Sequence, residues 1–391
     1  MLRKGLMLIE EEVIVEDVLS APAKRAVVVS LRFSPAFTSH MIAFGKLLEN
    51  LGYSVSFLAD KDYLSFADFA AIGPVITTER YAGDPDSLDA DMAVFCNPAV
   101  KNASVARAMR ARGMEVLYLL HEPVPVRHRL REGWKEILKL VVARQCSLAM
   151  LRQSSAVLVP SSCARASYER YFMKFNPIVC TLPLLFDDEI SRQQIAAARE
   201  KRRYFSFLAS AIKAHDFDAY VAFVKYAIRQ GSSMQFAIAT RTDLNGYLTG
   251  DAELASYAAS GRIRIQHGRA LTNEEMNGHF LDSFCVWNVY KVSTQSGVLA
   301  RAFMAGTPVI AMRMGSFDEF IVPGSSGEFV AAPDDWRGLL AHAKSIQENF
   351  PAYCEGCRRA FMKFFYYGEA REKLALLLTH IEKEKQECAL P

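Results

Sequence analysis

The sequence predicts an α/β protein made of two consecutive domains, each a parallel sheet covered by helices. Short β-branched runs alternate with segments whose apolar residues recur at helical spacing, which is the pattern of strands buried on both faces. The alternation stops at a charged break around residues 183–203 and then starts again. The chain has 391 residues, 51% hydrophobic and 23% charged, enough for two cores at roughly 150 residues per domain.

The first half opens with an extension over residues 1–21 and a strand at Arg25–Ser30. A helix follows over Ser39–Leu51, ended by Gly52. Further strands are read at Tyr53–Leu58, Met92–Cys96, Glu115–Leu120, Ala156–Val159 and Ile178–Cys180, with a helix at Val100–Arg112. Asp187, Asp188 and Glu189, then Arg199–Arg203, mark the linker. The second half has strands at Tyr204–Leu208, Met234–Ala239, Arg262–Gln266, Phe284–Trp287 and Pro308–Ala311. Its helices run over Asp216–Gln230, Asn273–Leu281 and Val298–Ala305, and a charged helical tail closes the chain. The domains expected are 22–190 and 200–365, with a helical tail 366–391 packing back towards the first.

Forty-six Lys and Arg against 43 Asp and Glu leave a net charge of +3, so no nucleic-acid partner is expected. The N-terminal apolar patch is followed at once by Glu10, Glu11, Glu12 and Glu16 and does not read as a signal peptide. No apolar run approaches the ~20 residues of a membrane span, which predicts a cytoplasmic protein, with a peripheral place at a membrane left open. The eight cysteines are scattered, as suits reduced thiols. Only Cys354 and Cys357 form a CxxC, with no second pair or matching histidines nearby, so no metal site is expected.

In an open parallel sheet, ligands bind where strands end and helices begin. The loop Ser30–His40 is such a place, polar at Ser34, Thr38, Ser39 and His40. The chain has neither GxGxxG nor GxxxxGK[ST], which argues against dinucleotide enzymes and P-loop nucleotidases. His121 and Glu122 end the strand Glu115–Leu120, and Pro123 turns the chain out of the sheet. A histidine there can serve a substrate hydroxyl or only satisfy the backbone. In the segment Val286–Ala311, the polar loop Ser293, Gln295, Ser296 and Gly297 leads straight into a helix whose free N–H groups can hold a phosphate. An ordinary Ser296 N-cap and a tight turn at Gly297 are the alternative.

That segment, with Gly306–Ala311, Met314–Ile321 and Gly324–Val330, resembles the second domain of GT-B nucleotide-sugar glycosyltransferases, in particular the large retaining group of bacterial polysaccharide enzymes. Gly268–Met276 resembles the segment before that family's donor loop, and Val157–Ser162 a strand near the end of its first domain. His121 falls where the family often has a histidine. The resemblance implies two Rossmann-like domains facing a central cleft. It implies transfer of a sugar from a nucleoside diphosphate-sugar to a carbohydrate or lipid-linked acceptor, without metal or other cofactor and with retained configuration.

The family's glutamate pair, spaced by seven residues, falls on Ser293 and Arg301, and neither is acidic. The donor contacts must then be made differently. The family's diphosphate cations correspond loosely to Ser210 and Lys213, and its glycine loop is replaced by Ser34–Thr38. By this resemblance His121 and Lys213 would carry catalysis. Ser210, Arg269, Leu271, Ser293, Gln295, Ser296, Gly297, Val298 and Arg301 would bind the donor, and Ser34, Phe37, Thr38 and Glu122 would face the acceptor. Backbone N–H groups at residues 296–298 would stabilise the leaving diphosphate. Asp89 and Asp91 precede a strand and are read as solvated.

From Arg127 to Arg152, the cations Arg127, Arg129, Arg131, Lys135, Lys139 and Arg144 are interleaved with Leu130, Trp134, Ile137, Leu138, Leu140 and Val141, a pattern that suits either an anionic membrane surface or a half-buried helix. The function expected is a glycosyltransferase of polysaccharide or glycan biosynthesis. The alternatives are a related protein that binds a nucleotide sugar or glycan without turnover, and a sugar-nucleotide epimerase, which would want an acidic pair in the cleft.

Overall fold

The computed structural model describes residues 24–65, 69–123, 134–291 and 293–389. The extension 1–21 and residues 127–133 of the basic segment lie outside the described residues.

The first domain holds seven parallel strands: β1 (Arg25–Ser30), β2 (Ser54–Ala59), β3 (Val75–Thr77), β4 (Met92–Phe95), β5 (Glu115–Leu119), β6 (Ala156–Val159) and β7 (Val179–Thr181). They lie in the order β3-β2-β1-β4-β5-β6-β7. The second holds β8 (Tyr204–Phe207), β9 (Gln235–Ala239), β10 (Ile263–Gln266), β11 (Ser283–Asn288), β12 (Val309–Met312) and β13 (Gly327–Val330), in the order β10-β9-β8-β11-β12-β13. The strand order reverses at β1/β4 and at β8/β11. A crevice opens outside the carboxyl ends at each reversal, and the crevices of the two domains form one cleft.

Alternation along β1 shows why both faces must be covered. Val27 and Val29 point into one core with Met109 and Tyr168, while Ala26 and Val28 point into another with Phe44 and Leu47. The second domain has one large core centred on Trp287, Phe205 and Phe303. The short strands β3 and β13 and the helices Asn245–Gly250, Ala252–Ala259 and Trp336–Glu348 are additions to what the pattern predicts.

The chain crosses between domains twice, side by side. Phe186 N–H donates to Phe365 O, and Tyr367 N–H donates to Phe186 O. After the second crossing, the helix Arg371–Ala389 lays Leu374, Leu377 and Ile381 into the core of the first domain. Arg358 ties the crossing region to Asp188 with two hydrogen bonds, of 2.9 and 2.6 Å.

Candidate functional site

A cavity of about 360 Å³ occupies the cleft. The first domain lines it with Pro35, Ala36 and Glu122, and the crossing segment with Phe186. The second domain contributes the loops after β8 (Leu208–Ser210), β9 (Thr240, Arg241) and β11 (Ser293, Gln295, Ser296), with Leu271, Asn273 and Arg301. Strand topology thus delivers these residues to one place from loops at the carboxyl ends of both sheets and from two helices.

At the end of β11, Ser296 caps the helix Gly297–Met304 by accepting from Leu299 N–H. Gly297 and Val298 line the cavity at that N-terminus, where backbone N–H groups and the helix dipole favour an anion. A Cβ on Gly297 would meet only the Phe186 ring at 3.8 Å, an ordinary contact. The fold therefore does not require glycine there. Gly315 differs: its φ is +51° and a Cβ would stand 2.1 Å from the Ser293 carbonyl, so its missing side chain lets the polar loop close up.

His121 is half-buried between the domains. Its Nε2–H donates to Cys96 O at 2.6 Å, because a carbonyl can only accept. Nδ1 is then an acceptor, and Gln295 Nε2 donates to it at 2.5 Å. This fixes the Gln295 amide, whose Oε1 is buried without a partner. Burial lowers the His121 pKa to about 4, so the ring is neutral near pH 7. Both nitrogens are engaged, and the histidine orients Gln295 and does not present a free proton donor or acceptor. Phe37 packs on this ring, with centroids 4.7 Å apart. His40, on the first turn of the helix Thr38–Glu49, has Nδ1 on Leu185 O at 2.8 Å and Nε2 buried without a partner. Burial pushes its pKa down to about 3.

Arg301 sits in a polar knot that joins both domains. Its guanidinium donates to Ser39 Oγ (2.6 Å), Asn273 Oδ1 (2.7 Å) and Asn277 Oδ1 (3.0 Å), and lies 3.6 Å from Glu189. Ser39 Oγ in turn donates to Glu189 Oε1 at 2.5 Å, and Asn277 Nδ2 to Glu189 Oε2 at 3.1 Å. The Arg301 side chain is 11% exposed. Burial lowers its pKa and Glu189 opposes that shift. Two further contacts cross the cleft: Thr294 Oγ1 donates to His121 O at 3.0 Å, and Ser161 Oγ donates to Thr294 O at 3.0 Å.

No protein-family model and no curated protein matches this chain. Solved structures do. HepE from Anabaena, in complex with UDP and glucose, aligns with a TM-score of 0.66 at 14% identity, covering 91% of this chain and 99% of that one. Sucrose-phosphate synthase from Thermosynechococcus elongatus aligns with a TM-score of 0.65 at 13% identity, over 92% and 100% of the two chains. WaaG, a glycosyltransferase involved in lipopolysaccharide biosynthesis, gives 0.59 at 14% identity, over 86% and 94%. Likeness along nearly the whole of both chains decides the architecture. The chain has the GT-B fold.

Within the GT-B cleft, Ser210, Leu271, Ser293, Gln295, Ser296, Gly297, Val298, Arg301 and Glu122 line the cavity, whereas His121 stands behind Gln295. The remaining ones lie elsewhere. Lys213 begins a short 3-10 turn, Lys213–His215, that carries its side chain to an exposed neighbouring depression with Asp218 and Tyr247. Arg269 is tied to Glu275, which caps the next helix. Ser34 is held by Tyr63 through its backbone, at 3.1 Å to the N–H. Thr38 is buried with Oγ1 unpartnered. Besides Arg301, which is engaged in the polar knot, Arg241 lines the cavity from beyond the carboxyl end of β9. The rule that selects the other loops selects this one too.

Asp91 accepts the Arg25 N–H at 2.7 Å, at the amino end of the sheet, and takes no part in the cleft. Among the described residues, no three His, Cys, Asp or Glu side chains are placed to hold a metal ion. Cys354 and Cys357 are free and buried in the helix Phe350–Phe364. Among the described residues, no helix is long and apolar enough to cross a membrane. On the helix Trp134–Leu151, Leu138, Val141 and Val142 are exposed while Leu148, Met150 and Leu151 are buried.

Proposed function

We propose that this protein is a glycosyltransferase that moves a sugar from a nucleoside diphosphate-sugar, held mainly by the second domain, to a carbohydrate or lipid-linked acceptor held by the first. The observation that carries the reading is the open N-terminus of Gly297–Met304 facing a cavity that also holds Arg241. An anion bound there gains two N–H donors, a helix dipole and a guanidinium. HepE, of the same fold, has been solved with UDP-glucose, which supports a nucleoside diphosphate-sugar as that anion. WaaG, by its role in lipopolysaccharide biosynthesis, supports a place in glycan assembly.

The leaving diphosphate is stabilised by the helix N-terminus and Arg241, and the chemistry asks for no metal. Gln295 Oε1, aimed by His121, accepts a hydroxyl of the transferred sugar. We assign retention of anomeric configuration. We place the protein in the cytoplasm, resting on the inner face of a membrane through residues 127–152, where the exposed Leu138, Val141 and Val142 supply the apolar contact.

A second reading, a nucleotide-sugar binder without turnover, is favoured by the engagement of Arg301 and the absence of acids at Ser293 and Arg301. A thermal-shift series with UDP, GDP, dTDP, ADP and CMP, followed by donor hydrolysis without acceptor, separates them. A rise in melting temperature with one diphosphate and slow hydrolysis of its sugar support the transferase. A rise without hydrolysis supports the binder, and no rise overturns both.

A further inference from the structure

His215 lines the cleft with its hydrogen bonding half complete. It ends the 3-10 turn Lys213–His215 in the loop after β8, and it shares the cavity wall with Arg241, Gly297 and Val298. Its ring packs on Tyr290, with centroids 4.5 Å apart, and its Nδ1–H donates to Ser210 O at 2.8 Å, because a carbonyl can only accept. In the neutral ring Nε2 is therefore a lone pair, and no group among the described residues donates to it. The backbone of the turn is fixed as well: Trp287 Nε1–H donates to His215 O at 3.3 Å, and Lys291 N–H to Ala214 O at 2.9 Å.

That tautomer decides what the ring can do for an anion. A diphosphate oxygen esterified at both ends has no proton to give near neutrality, so it meets the Nε2 lone pair as one acceptor meets another. With a proton on Nε2, the same approach becomes a charge-assisted hydrogen bond. The surroundings keep the ring neutral: burial lowers its pKa, the Ser210 carbonyl raises it, and the Arg241 guanidinium lowers it again. The other charges around the turn are matched or face elsewhere. Asp216 is paired with Lys291 Nζ at 2.7 Å, and Lys213 lies in the outer depression with Asp218. On the rest of the cavity wall, Arg301 is matched by Glu189, Glu122 comes from the first domain, and burial keeps the proton on the Tyr290 hydroxyl. A diphosphate placed beside Arg241 reverses the sign of the field at His215.

We propose that His215 is a proton-linked contact for the donor's diphosphate: the ring takes one proton from solvent as the donor binds and holds a phosphoryl oxygen through Nε2–H, so the site grips its donor more tightly as the pH falls. The proposal rests on the nucleoside diphosphate-sugar reading and adds a titrating contact to it. A sugar hydroxyl donating to the neutral Nε2 is the other use of that lone pair, and it requires the opposite sign of pH dependence.

The test uses the full chain with UDP-glucose, GDP-mannose, dTDP-glucose and ADP-glucose, which lack the terminal phosphate whose own titration would intrude. Calorimetry in PIPES and in imidazole, buffers of different ionisation enthalpy, counts the protons taken up, and affinity is followed from about pH 8 to about pH 6. His40 and His121, with pKa values pushed down to about 3 and about 4, add no proton in this range. The native protein is expected to take up close to one proton per donor bound near pH 6.5 and to gain about tenfold in affinity across the range. His215→Gln should take up none and stay flat at the weak level of the native protein at pH 8. His215→Lys, whose charge is fixed, should also be flat, at the tight level the native protein reaches at pH 6. A proton count of zero for the native protein overturns the proposal whatever the variants do, and so does uptake unchanged in His215→Gln or affinity that falls with the pH. If none of the four donors binds, the donor reading has failed and the proposal with it. If one binds without proton uptake, only the role of His215 has failed.

Discussion

Gln295 Nε2 donates to His121 Nδ1 across the domain boundary at 2.5 Å, so a side chain of the first domain decides which end of an amide in the second faces the cleft. The order of cause runs from the Cys96 carbonyl, through the tautomer it imposes on His121, to the unpartnered acceptor on Gln295. If that relay acts as a unit, His121→Ala and Gln295→Ala should each lower kcat by about tenfold, the loss of one hydrogen bond's worth of orientation. The double variant should lose little more than either one. UDP affinity, measured alongside, should change less than twofold. Additive losses in the double-mutant cycle would show that the two side chains act separately.

Burial of two neutral imidazoles sets a pH dependence of stability. An unfolded histidine takes up a proton below about pH 6.5, whereas His121 resists to about 4 and His40 to about 3. The unfolded chain therefore binds more protons in this window, and stability complete above pH 6.5 is lost as the pH falls towards 4. At pH 4.5 each ring should cost on the order of 2 kcal/mol. Melting temperatures of native protein and His40→Gln from pH 7.5 to 4.5 check this, the variant being expected to show the shallower fall. Parallel curves would remove His40 from the account.

Cations at the phosphate position can be told apart. Arg241→Ala should weaken UDP binding by about tenfold, as expected for the loss of one charge-assisted contact. Lys213→Ala should change it less than twofold, since that side chain lies in the neighbouring depression. Isothermal titration of both variants decides, and a larger loss from Lys213→Ala would move the diphosphate out of the cavity described.

Gly297 offers a clean steric probe because the fold leaves room for a side chain. Gly297→Ala should keep its melting temperature within about 2 °C. Gly297→Trp should fold and lose UDP affinity by more than tenfold. A Trp variant that binds UDP normally would place the anion elsewhere.

Arg301 and Glu189 form a buried ion pair, and removing one partner strands the other. Arg301→Met should cost about 3 kcal/mol in denaturant unfolding, and Arg301→Met with Glu189→Leu should recover part of it. The midpoint of urea unfolding gives both values, and equal losses in the single and double variants would mean that the pair itself contributes nothing.

Both parallel sheets were legible because buried strands such as Ala156–Val159 and Val309–Met312 carry the β-branched runs that mark them. Strand β3 has only three residues and sits at an edge, too short for a pattern to register. The loop Ser293–Gly297 could be found because polar residues ahead of a capped helix are a local signal. Lys213 matches the family's diphosphate cation only loosely, by its place after β8, and a 3-10 turn sends it away from the cleft. Arg301 reads from the sequence as a donor contact, and its knot with Ser39, Glu189, Asn273 and Asn277 does not show there because these partners are remote in sequence. Contacts of that separation leave no trace in spacing.

The return of helix Arg371–Ala389 to the first domain bears on how the chain is made. A ribosome emits the first domain long before Leu374, Leu377 and Ile381, yet those side chains belong to its core. While synthesis continues, the face that awaits them stays wet and the nascent domain is incomplete, whereas the second domain, closed by Phe361 and Phe365, already has every wall. The usual order in which domains mature from the N-terminus is thereby reversed in its last step: the first domain is sealed only once Ile381 has left the exit tunnel.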